Sequence, residues 1–322
     1  MRASVIIPIY REASIIPELQ PRLEENVARI TPDYEMIYVL DGCQDNSYEV
    51  VTGLAARNPH VRFIRLSRNF GHQIAVSAGL DHCSGDVVII IDGDLQDPPE
   101  LIPDLYAKYQ EGYKVVYAQR VYRKGESYFK KLTAKLFYRI LKRIASADIP
   151  LDTGDFRLID KTIVMHLRRM PERNKFLRGQ IAWLGYKQAF VPYIREPRKN
   201  GKGGYTLRKL FSLAFDGITG FSDFPLRLAT TLGFVFSVVA MLIIVYALLS
   251  YFMHDKIAPG WTSVMVSTMF IGGIQLLAIG MIGEYISRII SNIRQRPLYV
   301  VDETNLTDAP SSPAEAPASD VK

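Results

Sequence analysis

The 322-residue chain is predicted to fold as an α/β domain with a mostly parallel sheet, followed by a two-helix transmembrane hairpin. Three observations carry that prediction. Short apolar runs alternate with helical periodicity through the first third of the chain. Two adjacent uncharged stretches near the other end each exceed the about 20 residues that cross a hydrocarbon core. The charge is also uneven: the formal +6 combines a tail after residue 301 with five acidic residues against Lys322, and a body carrying the rest of the Lys and Arg excess.

The opening MRASVIIPIY does not read as a secretory signal, because Pro8 and Arg11 cut its apolar run short. The body is therefore expected to begin in the cytosol. Apolar runs at Ser4–Ile9, Met36–Leu40, Val61–Leu66, Val87–Ile91 and Val115–Ala118 have the length and bulk of buried strands. Helical patterns at Ile15–Ile30, Ser47–Arg57, Gln73–His82 and Pro99–Gln110 fall between them. Such alternation indicates βαβ units, in which ligands bind at the carboxyl ends of the strands. G-x-G-x-x-G and G-x-x-x-x-G-K-[ST] are both missing, which disfavours a dinucleotide dehydrogenase or a P-loop ATPase. Two cysteines exclude a disulfide scaffold and a four-cysteine zinc site.

Asp92-x-Asp94 follows the apolar strand Val87–Ile91, within DGDLQDPPE. Residues two apart on extended backbone point the same way. Two carboxylates so placed suit a hard divalent cation, Mg²⁺ or Mn²⁺, able to neutralise a diphosphate leaving group. A solvated turn is the bland alternative, and the buried strand before the motif argues against it.

Residues 120–143 hold nine Lys or Arg against Glu126, with apolar residues at helical spacing. A basic amphipathic helix near 128–146 lies naturally against an anionic membrane surface. Nucleic-acid binding competes, but the neighbouring hairpin favours the membrane and no nucleic-acid partner is expected. Residues 205–221 read as a second interfacial helix. Ala229–Met253 and the stretch from Trp261 to about Glu284 form the hairpin, joined by a turn-rich loop with Lys256 alone. Lys199, Lys202, Arg208, Lys209 and Arg227 before it, and Arg288, Arg294 and Arg296 after it, place both flanks in the cytoplasm. The domains expected are 1–225 cytosolic, 226–287 hairpin and 288–322 a cytoplasmic segment disordered from about 304.

IIPIYREA at 6–13, DGCQDNS at 41–47, SRNFGHQIAVSAG at 67–79, DGDLQDPPE at 92–100 and TGDFRLID at 153–160 together resemble family 2 glycosyltransferases. More narrowly they resemble the polyprenyl-phosphate group of dolichol-phosphate mannose synthases and bactoprenol glucosyltransferases. The resemblance runs from about residue 3 to 301, including the closing Arg296-Pro297-Leu298-Tyr299.

It implies a GT-A fold, a Rossmann-like nucleotide-sugar domain. It implies that Pro8, Tyr10, Glu12 and Asp41 line the nucleotide pocket, with Asp41 near the base. Asp92 would stand beside the donor, and Asp94 and Gln96 would ligate Mg²⁺ or Mn²⁺. Asp155, with Asp92, supplies the catalytic carboxylates implied. Arg120 and Arg157 would contact phosphates or the donor, and Arg198 would sit on a basic loop near the diphosphate. The family commonly has Lys where His72 stands, and His72 is read as structural.

The activity implied is inverting transfer of a hexose, glucose favoured, from a UDP-sugar to undecaprenyl phosphate at a bacterial inner or plasma membrane, for cell-envelope glycans. GlcNAc, mannose from GDP-mannose or an aminoarabinose derivative are alternative sugars, and a tetramer is the implied assembly. A processive synthase would carry Q-x-x-R-W, which Gln180-Ile181-Ala182-Trp183 does not match. An inert nucleotide-sugar sensor is the remaining alternative. An acceptor phosphate, with a second pKa of about 6, is largely ionised at neutral pH and has little need of a general base. Asp155 is then as fit to orient a substrate as to take a proton.

Overall fold

The computed structural model describes residues 1–122, 153–170, 172–173, 175–194, 231, 233–235, 238, 241–242, 245, 260–294 and 296–306. The basic helix near 128–146, the helix at 205–221, Arg198, most of the first hairpin helix and the tail beyond 306 lie outside the described residues. The chain divides into two compact units, one of residues 1–142, 147–206 and 296–322 and one of residues 143–146 and 207–295.

The first unit is built on an eight-stranded sheet. In chain order its elements are β1 (Ala3–Ile9), α1 (Ile16–Ala28), β2 (Tyr34–Leu40), α2 (Ser47–Ala55), β3 (Val61–Leu66), α3 (His72–His82) and β4 (Val87–Ile90). There follow α4 (Ile102–Gln110), β5 (Val115–Tyr122), β6 (Thr153–Asp160), α5 (Lys161–Arg169), α6 (Leu177–Trp183), β7 (Gln188–Ile194) and, near the end of the chain, β8 (Val301–Thr304). The strand order is β7-β5-β6-β4-β1-β2-β3-β8. β6 and β8 run against the other six.

β1, β2 and β4 are buried along their whole length, as strands of a sheet covered on both faces must be. Alternate residues serve the two faces. Val5, Ile7 and Ile9 pack with Ile16, Leu19, Leu23 and Val27 of α1 and with Ile102 and Leu105 of α4. Ile6, Val88 and Ile90 pack with Val76 and Leu80 of α3, with Ile163 and Leu167 of α5 and with Ile181 of α6.

Glu35 breaks the apolar run of β2. It is buried, and is satisfied by the Ser4 and Ser84 hydroxyls, the Ser84 N–H and the Arg2 guanidinium.

The chain steps from β1 through β2 to β3, then returns to lay β4 on the other side of β1. The crevice at the carboxyl ends of β1 and β4 is therefore a topological switch point, where α/β sheets bind ligands. β6 enters the sheet from that same end. Its register sets Arg157 opposite Ile90, so Asp155 falls opposite Asp92 just beyond the paired residues.

Residues 301–306 complete the described part of the sheet, and the tail beyond them, where disorder is expected, lies outside the described residues. β8 pairs antiparallel with β3, and Asn305 continues the edge through its side chain. Its Oδ1 accepts the Phe63 N–H at 2.8 Å and its Nδ2 donates to the Val61 carbonyl at 3.2 Å. The open edge of β3, with unpaired backbone groups, offers this segment partners. Tyr299, just upstream, is buried against the α3 side of the core.

In the second unit the described residues between 231 and 245 are helical, and α7 spans Trp261–Ile293. α7 is the one described helix long and apolar enough to cross a bilayer, through Phe270–Ser287. It contains the second expected span, Trp261 to about Glu284, and its helix continues to Ile293.

Candidate active site

Side chains from several elements meet near the switch point. The loop after β4 carries Asp92, Asp94, Gln96 and Asp97. Leu95 within it is buried with φ 56°, a left-handed conformation that a leucine adopts only under constraint. Asp94 is buried, and its Oδ1 accepts the Gln96 N–H at 3.2 Å, which tightens the turn. Asp97 is fully buried, accepts a hydrogen bond from the Tyr193 hydroxyl and lies 3.7 Å from Arg120. Arg120 in turn donates to the Tyr193 oxygen at 3.1 Å. Gly154 makes room for that guanidinium, since a Cβ there would collide with it.

Asp155 is the hub. Its Oδ1 accepts from Arg157 Nη2 at 2.7 Å and Arg178 Nε at 3.2 Å. Its Oδ2 accepts from Gln73 at 3.4 Å and lies 3.0 Å from His72 Nε2. His72 Nε2 is also 3.5 Å from Asp92 Oδ1. Gly71, with φ 100°, turns the chain into α3 so that His72 opens the helix toward these carboxylates.

The charges shape one another. Burial raises the Asp92 carboxyl to about 6, working against His72 and with the repulsion of Asp155, Asp97 and Asp94. Burial works the same way on Asp155, yet the His72 hydrogen bond and the Arg178 and Arg157 charges hold it well below the usual carboxylate range. Burial alone would lower the His72 imidazole, but the hydrogen bond to Asp155 and the charges of Asp92 and Asp155 raise it to about 9.

The residues expected at the site separate into groups. Asp92, Asp94, Gln96, Asp155 and Arg120 gather at the switch point. Tyr10 is exposed at the end of β1 with the Arg11 guanidinium over its ring, and Glu12 is half-buried beside them. Pro8 is buried within β1.

Asp41 stands at the end of β2. It is buried and accepts the Phe70 and Gly71 N–H groups at 2.7 and 2.9 Å, holding the turn that delivers His72. Arg157 lies within β6. It is 1% exposed, bonded to Asp155 and the Gly154 carbonyl, with its charge over the Tyr117 ring. A residue in the middle of a strand alternates inward or outward by register, and sequence did not show which way Arg157 turns.

Two further side chains stand on Asp155, His72 and Arg178. His72 was read as structural, and Arg178, between Leu177 and Ile181, went unremarked.

His72, Asp92 and Asp155 offer ligand atoms within 4.8 Å of one another, the one such trio among the described residues. Both Asp155 oxygens already accept hydrogen bonds, whereas Asp92 Oδ1 is buried and makes none. That oxygen has His72 Nε2 at 3.5 Å but no hydrogen bond, and with Asp94 two residues on it fits a hard divalent cation.

Residues 4–168 match the family model "Glycosyl transferase family 2". The chain belongs to that family. Its catalytic unit is a GT-A domain, and residues 224–289 match the "GtrB C-terminal hairpin". An uncharacterized glycosyltransferase, YkcC, of Bacillus subtilis is 44% identical over 94% of this chain and 93% of its own length. A prophage bactoprenol glucosyl transferase homolog of Escherichia coli is 37% identical over 94% of this chain and 98% of its own. Among solved structures, glucosyl-3-phosphoglycerate synthase of Mycobacterium tuberculosis with Mn²⁺, UDP-glucose and phosphoglyceric acid shares 18% identity. It aligns over 67% of this chain and 77% of that one, with a TM-score of 0.44.

Proposed function

We propose that this glycosyltransferase moves glucose from UDP-glucose to undecaprenyl phosphate, with inversion at the anomeric carbon. The observation that carries the reading is Asp155 opposite Asp92 at the switch point, in a chain that matches bactoprenol glucosyl transferases over nearly its full length. An acceptor phosphate oxygen attacks the anomeric carbon, the bond to the diphosphate breaks, and UDP leaves with the electron pair. An ionised phosphate needs no base for this step.

Asp92, Asp94 and Gln96 would hold Mg²⁺ or Mn²⁺, which when bound offsets the charge that builds on the departing diphosphate. Arg120, fixed by Asp97 and Tyr193, is placed to add to that electrostatic stabilisation. Tyr10 and Glu12 would line the nucleotide side, and Arg198 would meet the diphosphate.

The domains are proposed as a cytosolic catalytic domain of 1–225, a hairpin of 226–287 crossing a bacterial inner membrane twice, and a return segment that rejoins the sheet. Both termini would be cytoplasmic, and a tetramer is the proposed assembly.

The test is a screen of nucleotide sugars with undecaprenyl phosphate and Mg²⁺ or Mn²⁺, reading the lipid product by mass. A hexosyl-phosphoryl-undecaprenol made from UDP-glucose supports the reading. Product only with another sugar, or with no lipid acceptor at all, overturns it.

A further inference from the structure

α3 is engaged at both ends. At its start, His72 Nε2 lies 3.0 Å from Asp155 Oδ2 and 3.5 Å from Asp92 Oδ1, and Gln73 donates to Asp155 Oδ2 at 3.4 Å. At its other end, Asp81 Oδ2 accepts from the Tyr299 hydroxyl at 3.0 Å. His82 Nε2 lies 3.4 Å from the same hydroxyl, with its ring edge-on to the Tyr299 ring. At 1.5 Å per residue the two contacts stand about 15 Å apart along the helix. Burial and the Asp81 charge raise the Tyr299 hydroxyl above its ordinary range, so it stays a donor.

Tyr299 belongs to the segment that begins at Arg296, where the chain leaves the second unit. That segment also touches the chain ahead of α3. The Val300 carbonyl accepts the Ser67 N–H at 3.0 Å, five residues before His72. Leu298 and Val301 pack against the core on the α3 side. Between its ends α3 rests on β1 at Gly79, which closes on Ile6 so tightly that a Cβ would collide with it. Gly79 is thus a pivot, with Tyr299 acting on one arm and His72 on the other. A remote change that misplaces a reacting group by about 1 Å can cost about 100-fold in rate.

We infer that Tyr299 is a positioning residue for sugar transfer: through Asp81 it seats α3 so that His72 stands on Asp155 beside Asp92. The reaction rests on the reading under Proposed function, whereas the seat of His72 does not. The hydroxyl alone carries the role. Tyr299→Phe keeps the ring against His82, and Arg168 still holds that end of α3 through the Leu80 and Cys83 carbonyls at 2.8 and 2.6 Å.

The test uses the full chain in lipid nanodiscs, as wild type, Tyr299→Phe, His72→Gln, their double variant and Tyr38→Phe. Tyr38→Phe is the control, since it loses a buried hydroxyl bonded to Gln20 at 2.6 Å on the opposite face of the sheet. Tyr299→Phe is expected to lower kcat about 2- to 30-fold, the range over which a contact remote from the site modulates it, with both KM values within about twofold. Tyr38→Phe should lower Tm and leave kcat unchanged. In the His72→Gln background Tyr299→Phe should lower kcat no further.

A wild-type kcat in Tyr299→Phe overturns the inference, as do full additivity with His72→Gln and an equal loss of kcat in Tyr38→Phe. Should Tyr299→Phe fail to fold by thermal melting, Asp81→Asn carries the same comparison.

Histidine-selective nitrogen NMR in detergent micelles reads the seat of His72 without any reaction, its signal assigned by loss in His72→Gln. The signal should move in Tyr299→Phe and hold in Tyr38→Phe. Wild type that transfers no glucose, with a His72 signal that moves in Tyr299→Phe, overturns the function and supports the seat. Wild type that transfers glucose, with a His72 signal that holds in Tyr299→Phe, overturns the inference alone.

Discussion

Replacing Arg157 by methionine should damage stability more than any other single change at the site. The guanidinium is buried, 2.7 Å from Asp155 Oδ1, and also serves the Asp155 and Gly154 carbonyls at 3.1 and 3.3 Å. Two unit charges about 4 Å apart interact by roughly 4 kcal/mol at an effective dielectric constant near 20. Breaking a buried pair by removing one partner costs about 3–5 kcal/mol, because the other charge stays buried.

Arg178 and His72 remain on Asp155 and should absorb part of this, so about 3 kcal/mol is expected. For a unit of this size each kcal/mol moves Tm by about 2–4 °C, giving a fall of about 6–12 °C. The assay is thermal unfolding of the full chain in detergent, followed by intrinsic fluorescence. The double variant Arg157→Met with Asp155→Asn removes both charges and should melt above the sum of the single losses. A fall below about 2 °C, or strict additivity in the double variant, would refute the idea that Arg157 is the buried counter-ion of Asp155.

Four further outcomes are expected. Asp94→Ala, or chelation of divalent cations, should abolish sugar transfer measured by lipid product, while an inert sensor would keep its nucleotide affinity with no transfer to lose. Tyr193→Phe removes the hydroxyl that ties Arg120 to Asp97, and should cut turnover by about tenfold, the worth of one hydrogen bond to a charged group, with Tm falling by no more than a few degrees. Asn305→Ala unpins β8 from β3 and should cost about 2 kcal/mol by thermal melting, since the Phe63 N–H and Val61 carbonyl lose their partner.

Asp160 caps α5 through the Thr162 N–H and accepts from Lys114 and Tyr109. Burial opposes its ionisation, yet these hydrogen bonds lower its pKa to about 2. Its stabilisation of about 2 kcal/mol is therefore complete above about pH 4 and fades as pH falls from about 4 to 2. Acid titration of Tm should show Asp160→Asn losing its deficit over that interval.

Much of the architecture was readable in the chain. Strands such as Met36–Leu40 and Val87–Ile91 are continuous apolar runs bounded by polar turns, so composition and length identify them locally. β6 was harder, because TGDFRLID alternates apolar with charged residues and its burial depends on neighbours from both sides. Asp92 and Asp94 were legible as a motif at a strand end. Asp41 was expected at the nucleotide pocket from the family resemblance, and only the fold shows that it also accepts the Phe70 and Gly71 N–H groups. The pairing of β8 with β3 was not legible either, because it joins residues some 240 positions apart.

The sequence by itself determined the alternation of strand and helix, the family motifs and the two uncharged stretches, because each is written in neighbouring residues. Tertiary structure decided what the charged residues do. Asp155, Arg157, Arg178 and His72 come from three separate elements, and which of them is sealed and which is open depends on strand register and on the helices packed above. Burial sets the energy of each charge and its freedom to meet a substrate, and burial is a property of the assembled fold rather than of any segment.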